Sequence, residues 1–211
     1  MSQVTVMAEM FSNATAFNAD LGDWDVSQVT VMAGMFNGAT AFNGDLSAWD
    51  VSQVTDMEHM FHAATALDGN LSDWDVSQVT DMQWMFNRAT AFNADLGAWD
   101  VSKVTTMYAT FYNAAAFNSD LSAWDVSKVT YMQYMFYSAT AFNAPLDWCV
   151  LDNVVLTGAF AGTKCADGAD AAQDEYYYYD YYYNGDLNFD ENAAEAVAMA
   201  AECGVDVQAD C

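Results

Sequence analysis

The chain of 211 residues has almost no positive charge. Four Lys and Arg residues stand against thirty Asp and Glu residues, and the formal net charge is −26. A protein that binds nucleic acid or an anionic membrane surface needs several clustered basic side chains, so this composition excludes both as partners. It favours cationic partners, metal ions or salty surroundings instead.

Long apolar runs are also missing, although 54% of the residues are hydrophobic. No stretch reaches the roughly 18 apolar residues that a membrane-spanning helix needs, so we expect no membrane insertion. The N-terminus lacks the basic and apolar regions of a signal peptide. The chain has only two His residues, and no nucleophile with a base partner is visible, so we expect no enzyme.

What the chain does contain is a motif that recurs at a fixed interval of 25 residues. The motif WDVS begins at Trp24, Trp49, Trp74, Trp99 and Trp124. Five further residue types recur without exception in six copies, starting at Thr5, Met7, Phe11, Ala16 and Leu21. A period of this length with an invariant apolar set predicts a repeat solenoid, in which each repeat forms one coil and identical side chains stack in a continuous core.

Spacing within one repeat predicts its local structure. Alternating inward residues predict a short parallel strand near residues 47–51. Apolar side chains at intervals of three and four residues predict a helical or 3₁₀ turn on the opposite wall. In the third copy these side chains are Met57, Met60, Phe61 and Ala64.

The full pattern, WDVSxVTxMxxMFxxAxxFNxDL, resembles the repeat of the BspA-like surface proteins and of the related mycoplasma lipoprotein repeat, a leucine-rich-repeat variant. The resemblance covers residues 1 to about 163. It implies a right-handed solenoid that is exported to a cell surface and contacts other cells, hosts or matrix. The family shares no catalytic residues, so the resemblance implies no active site.

The repeats divide the chain into two regions. Residues 1–163 form the predicted leucine-rich-repeat-like solenoid of six full coils and a degraded half-coil, and residues 164–211 form an acidic, Tyr-rich cap. The N-terminal coil shows no capping sequence, so it should expose a strand edge and apolar core. Two interpretations remain open: the chain is an excised piece of a longer protein, or another subunit stacks on this end and builds a filament.

All four cysteines lie at or beyond the last coil. They are Cys149, Cys165, Cys203 and Cys211. Their even number predicts two disulfides and an oxidising, extracellular compartment. The local hypothesis pairs Cys149 with Cys165 and Cys203 with Cys211, and a four-cysteine metal site is the alternative despite the absence of CxxC spacing.

An acidic ladder is the first feature that could carry chemistry. One Asp recurs between the inward Trp and Val of each repeat, at Asp25, Asp50, Asp75, Asp100 and Asp125. Such carboxylates can accept hydrogen bonds from nearby backbone N–H groups or from Ser and Thr hydroxyls in Asx turns. The functional alternative is a stripe that binds a cation or a partner, reinforced by neighbouring carboxylates at Asp20, Asp45, Asp95 and Asp120.

The second feature is the segment DYYYNGDLNFDE, residues 180–191, which resembles a calcium-binding EF-hand loop. The predicted calcium ligands are Asp180, Asn184, Asp186, Asn188 and Glu191. Tyr182 departs from the pattern at the third position, where an oxygen ligand is expected. The alternative is an acidic turn that matches by chance.

Aromatic side chains accumulate at variable positions toward the C-terminus. We predict an interface from Trp84, Tyr108, Tyr112, Tyr131, Tyr134 and Tyr137. Large aromatic residues suit protein interfaces and sugar stacking, although these rings could also pack on a folded-back tail. His59 and His62 could contact one metal ion but are too few to form a site alone.

These features predict an extracellular or cell-surface structural or adhesive protein that makes protein–protein contacts and self-assembles end to end. The alternative is a calcium-dependent binding module for a glycan or a protein.

Overall fold

The computed structural model describes residues 4–166 and 193–209. Within these ranges the regular elements are strand β1 (Trp148–Leu151), helix α1 (Ala193–Glu202) and strand β2 (Val205–Gln208). The remainder of the described chain consists of turns, single bridges and extended segments. No helix in the described ranges has the length and apolar character needed to cross a membrane.

Each repeat pairs with the next through its backbone. Single parallel bridges join Val6 to Val31, Val31 to Asp56 and so on as far as Val155, mostly 25 residues apart. We call each unit a layer; the layers begin at Val4, Val29, Val54, Val79, Val104, Val129 and Val154. We propose that these layers are the coils of the solenoid predicted from the 25-residue period.

Four N–H groups of each layer donate to carbonyls of the following layer. In the third layer the donors are Met57, His59, Phe61 and Ala63, at 2.7–3.2 Å from carbonyls of residues 81, 83, 85 and 87. Every second residue thus points its amide along the stack. This direction is the same in all layers, because the segments run parallel.

The predicted helical turn is wrong. The intervening amides of Met60, His62 and Ala64 donate back to the third residue before them, each at 3.1 Å, and form consecutive β-turns. His59 and Ala63 have positive φ values of 55° and 54°, which a right-handed helix does not contain. The spacing of three and four residues arises from these turns.

The predicted strand at residues 47–51 is also misplaced. Two tight turns enclose this segment, because the N–H of Trp49 donates to Leu46 and the N–H of Val54 donates to Val51. The pairing between layers occurs farther along, at Asp56 and its equivalents. Trp49 and Val51 are nevertheless buried, at 4% and 1% exposure, so alternate residues do point inward.

Identical side chains stack through the core. Phe36, Phe61 and Phe86 lie with ring centroids 5.5 and 5.7 Å apart and nearly parallel. Trp49 and Trp74 stack in the same way at 6.5 Å. In this stack each buried indole N–H donates to a Leu carbonyl of the preceding layer, as from Trp49 to Leu21 at 2.9 Å, and the same bond is made by Trp74, Trp99, Trp124 and Trp148.

The C-terminal cap covers the last layers. Strand β2 pairs in parallel with β1, with Trp148 opposite Val205 and Leu151 opposite Gln208. A disulfide joins Cys165 to Cys203. The predicted local pairing is therefore wrong, because pairing of β1 with β2 brings distant parts of the chain together. Cys149 is also disulfide-bonded, and Cys211 lies outside the described residues.

Candidate functional sites

The acidic ladder forms a series of Asx turns. The Oδ1 atoms of Asp50, Asp75, Asp100 and Asp125 accept the N–H of the Ser two residues later at 3.0–3.1 Å. Asp25 accepts both the N–H and the hydroxyl of Ser27, at 3.2 and 2.7 Å. The ladder residues are exposed.

These hydrogen bonds offset the repulsion between stacked carboxylates. The Ser52 hydroxyl and N–H hold the pKa of Asp50 below its usual value, while the charge of Asp25 acts weakly in the opposite direction. The pKa values of Asp25, Asp100 and Asp125 are lowered by the equivalent Ser hydroxyls and N–H groups. These four carboxylates are thus ionised at neutral pH and present negative charge along one side of the stack.

A second row of Asx turns runs beside the ladder. Oδ1 accepts the N–H two residues later at five positions, which are Asp20, Asp45, Asn70, Asp95 and Asp120. An acidic hollow of about 470 Å³ lies between the first two layers and includes Asp20, Asp23 and Asp45. The described residues contain no group of three or more His, Cys, Asp or Glu side chains placed to hold a metal ion.

The predicted interface aromatics lie together on the turn wall. Tyr112 stacks on Tyr137 with centroids 4.8 Å apart, and Tyr134 meets Tyr108 edge-on at 5.9 Å. Tyr131 is 52% exposed. Trp84 is more buried than Tyr131, because it is only 7% exposed. Its ring stacks on the ring of His59, with centroids 5.5 Å apart. Trp84 therefore packs beneath the exposed surface.

A row of half-buried and buried polar side chains runs through the same wall, and the sequence did not reveal it. Oδ1 of Asn37 lies 2.9 Å from Nδ1 of His62. Within the described part of the chain, Nε2 of His62 and both polar atoms of the fully buried Asn87 have no hydrogen-bond partner. Burial lowers the pKa of His62 to about 4, helped by the charges of His59 and Arg88. Asn87 is fully buried although asparagine is mostly an exposed residue type.

Carboxylates also face one another at the bridge positions. Asp56 and Asp81 are bridge partners, and the charges of both residues act on the carboxylate of Glu58. Burial, followed by the charge of Asp81, raises the pKa of Glu58. Burial also raises the pKa of Asp81, opposed by the N–H of Gln83. His59 lies 3.4 Å from Glu58, which gives this cluster one potential counter-charge.

The first layer presents an open edge. Val4, Val6, Met10 and Trp24 are 53%, 55%, 45% and 38% exposed. The third-layer equivalents of Val4, Met10 and Trp24 are Val54, Met60 and Trp74, which are 0%, 0% and 3% exposed. The carbonyls of residues 6, 8, 10 and 12 correspond to those that accept amides in later layers, and within the described chain no N–H donates to them. We call these four carbonyls the acceptor edge.

Comparison with family models decides what kind of repeat this is. The model of DUF285, described as a Mycoplasma protein of unknown function, matches residues 1–95 and again residues 67–168. The chain belongs to the DUF285 family. Searches of curated proteins and of solved structures gave no match.

Membership of DUF285 confirms the coarser part of the resemblance, a repeat of the mycoplasma type. Kinship with BspA-like proteins and leucine-rich repeats stays a prediction. The matched segments contain the acidic ladder, the predicted interface aromatics and the acceptor edge, so these features belong to the family region of the chain. The five predicted calcium ligands lie beyond it, among residues 167–192, and are outside the described residues.

Proposed function

We propose that this DUF285 protein is an extracellular or cell-surface structural and adhesive protein that binds other proteins and self-associates head to tail. The observation that carries the proposal is the open first layer. Val4, Met10 and Trp24 expose a slice of the core beside carbonyls that accept no N–H within the described chain, so this end is both apolar and able to form hydrogen bonds, as at the edge of a sheet.

The chain itself contains the complementary edge. In the last layer, the N–H groups of Leu156, Gly158, Phe160 and Gly162 correspond to the amides that donate to the next layer elsewhere in the stack. Among the described residues none of them has an acceptor. We call these four amides the donor edge. Gly158 and Gly162 are partly exposed, whereas Leu156 and Phe160 are buried at 4% and 1% exposure.

The two edges match in number, spacing and polarity. Inside the stack, the same contact joins the amides of Met132, Tyr134, Phe136 and Ser138 to carbonyls of the last layer at 2.8–3.0 Å. A second copy could therefore repeat a contact that the fold already makes at each layer boundary. Two acceptor edges do not match each other in this way, because their four carbonyls would meet carbonyls rather than N–H groups. The contact is heterologous, and a heterologous contact that does not close builds a filament.

Charge sets the conditions for this association. Each copy carries a formal charge of −26, so copies repel one another at low ionic strength. Salt shortens the Debye length from about 8 Å at physiological strength to about 3 Å at 1 M. We therefore propose that association strengthens as salt is added. The disulfide between Cys165 and Cys203 supports an oxidising, extracellular location.

Sedimentation velocity tests the proposal across protein and salt concentrations. Wild type should form concentration-dependent oligomers, and Met10→Lys should abolish them because it places a charge on the exposed core slice. Thr65→Lys is the matched control, since Thr65 is exposed on the side of the third layer. A monomeric wild type under all conditions, or equal oligomers from both variants, would contradict head-to-tail association.

Calcium-dependent binding of a glycan or protein through the EF-hand-like loop stays the alternative. It depends on Asp180, Asn184, Asp186, Asn188 and Glu191, none of which lies in the described part of the chain. Calorimetric titration with calcium distinguishes the two functions. The alternative requires a binding signal that Glu191→Gln removes, and an unchanged signal in that variant would eliminate it.

A further inference from the structure

One residue in the second row of Asx turns carries a side-chain amide instead of a carboxylate. Four of the five members of the row are Asp, and the third-layer member is Asn70. Asn70 is followed by Leu71 and Ser72, which completes the Asn-x-Ser motif that oligosaccharyltransferases recognise. Asn13, Ala14 and Thr15 form the other such motif in the sequence.

From this geometry we propose that Asn70 is an N-glycosylation site. The glycan donor is a polyprenyl-pyrophosphate-linked oligosaccharide. The bond between the anomeric carbon of the sugar and the phosphate oxygen breaks, a bond from that carbon to Nδ2 of Asn70 forms, Nδ2 loses one proton, and polyprenyl pyrophosphate leaves. The inference rests on export, which is part of the proposed function.

The folded structure accommodates a sugar at this position without loss of a hydrogen bond. Oδ1 of Asn70 accepts the N–H of Ser72 at 3.0 Å, so the Asx turn uses the oxygen of the amide. No acceptor within the described chain binds Nδ2, which is the atom that would carry the glycan. Asn70 is exposed, whereas Leu71 beside it is buried at 1% exposure and anchors the turn.

Asn13 differs from Asn70 in its backbone conformation and in the hydrogen bonding of its side-chain amide. Its backbone is left-handed, with φ of 58°, and its Nδ2 donates to the Ser12 hydroxyl at 3.3 Å. It also lies on the first layer beside the acceptor edge, where a glycan would obstruct stacking of a second copy. Asn70 lies on the third layer, away from both edges.

The repeat supplies matched variants for the test. Asp45→Asn creates Asn-Leu-Ser in the equivalent turn of the second layer, while Asp95→Asn creates Asn-Leu-Gly, which lacks the required hydroxyl. Asn70→Asp removes the acceptor and installs the residue that the other four layers carry. Each of these variants keeps the Asx turn, so misfolding does not obscure the result.

The full chain, preceded by a heterologous signal sequence and carrying Asn13→Gln, would be expressed in a eukaryotic secretory host. We expect one glycan, which a peptide N-glycosidase removes to leave Asp at position 70 in peptide mass spectra. Asn70→Asp should lose the glycan, Asp45→Asn should carry two, and Asp95→Asn should carry one. An unmodified Asn70 would overturn the inference, whether or not Asp45→Asn is modified.

This outcome is separable from that of the proposed function. The supplied signal sequence brings the chain to the transferase whether or not the natural protein is exported. Head-to-tail association is measured on unglycosylated protein, so failure of either proposal leaves the other to be judged by its own experiment.

Discussion

The two ends of the stack are built from the same repeat, but only the C-terminal end carries a cap in the described part of the chain. At the C-terminal end, Trp148 is 3% exposed and lies under strand β2, which the Cys165–Cys203 disulfide fastens to the last layer. At the N-terminal end, the equivalent Trp24 is 38% exposed. A repeat cannot bury its own core side chains, so each layer depends on its neighbours for stability.

Removal of the disulfide should produce the largest change, because it uncouples the cap from the covered end. The disulfide closes a separation of 38 residues. Loop-closure entropy for a loop of this length corresponds to about 4 kcal/mol. We expect the double variant Cys165→Ser, Cys203→Ser to lose roughly that free energy of unfolding in urea titrations. An unchanged midpoint would show that the Cys165–Cys203 disulfide does not stabilise the folded chain.

Equivalent methionines test the difference between the ends directly. Met60 is fully buried in the third layer, whereas Met10 is 45% exposed in the first. Met60→Ala should cost roughly 3 kcal/mol, since it removes a buried side chain and leaves a cavity. Met10→Ala should cost less than about 1 kcal/mol in the monomer. Equal losses, measured by urea unfolding at low protein concentration, would mean that the first layer is covered in solution.

Backbone strain differs between the layers, because glycine occupies the left-handed positions in the second and last layers and other residues occupy them elsewhere. The two left-handed positions of the turn wall are occupied by Gly34 and Gly38 in the second layer and by Gly158 and Gly162 in the last. Ala63 occupies one of them in the third layer, with φ of 54°. A left-handed L-residue costs about 1–2 kcal/mol, so Ala63→Gly should stabilise the protein by roughly 0.5–1 kcal/mol.

The neighbouring Ala64 is the control for this substitution. Ala64 is fully buried and its φ is not positive. Ala64→Gly should therefore destabilise the protein by about 1 kcal/mol, because glycine loses more backbone entropy on folding. Thermal unfolding of the two variants should give shifts of opposite sign, and shifts of the same sign would contradict the assignment of the turns.

The smallest expected effect concerns the carboxylates of the middle layers. Burial and the charge of Asp56 raise the pKa of Asp81, so the folded state binds its proton more tightly than the unfolded state. Stability therefore rises as pH falls from the raised pKa toward the ordinary value. Asp81→Asn should stabilise the protein at pH 7 by roughly 0.5 kcal/mol, the scale of a like-charged cross-strand pair.

That gain should vanish in acid, where wild-type Asp81 is protonated. Asp50→Asn is the control of opposite sign, because hydrogen bonds from Ser52 lower the pKa of Asp50 and favour its ionised form in the folded state. Urea unfolding at pH 7 and near pH 3 measures both variants. A gain from Asp81→Asn that is equal at the two pH values would contradict a charge-based origin.

The sequence predicted the burial of side chains that recur at the same position in every repeat. Phe61, Trp74 and Leu71 recur in register, and all three are buried. The Asx turn at Asp50 was also visible as an alternative, because Ser52 follows it at the required distance. Spacing of residue types carries this information, since each layer places the same side chain in the same environment.

The turn wall could not be predicted in the same way. His59 and Ala63 give no local indication of left-handed backbone, and only the glycines at equivalent positions do. Burial of Asn87 depends on the neighbouring layers rather than on its own residue type. The pairing of Cys165 with Cys203 follows from the position of β2, which repeats do not encode. In each of these cases, tertiary contacts rather than the local sequence pattern determine the structure.

The central claim is that the acceptor edge of one copy stacks on the donor edge of the next. Electron microscopy of concentrated unglycosylated protein in high salt tests it most directly. Seven layers at about 4.8 Å, with β2 adding part of another, predict filaments one molecule wide with a subunit repeat of roughly 35–40 Å. Closed dimers, or single particles under all conditions, would contradict the claim.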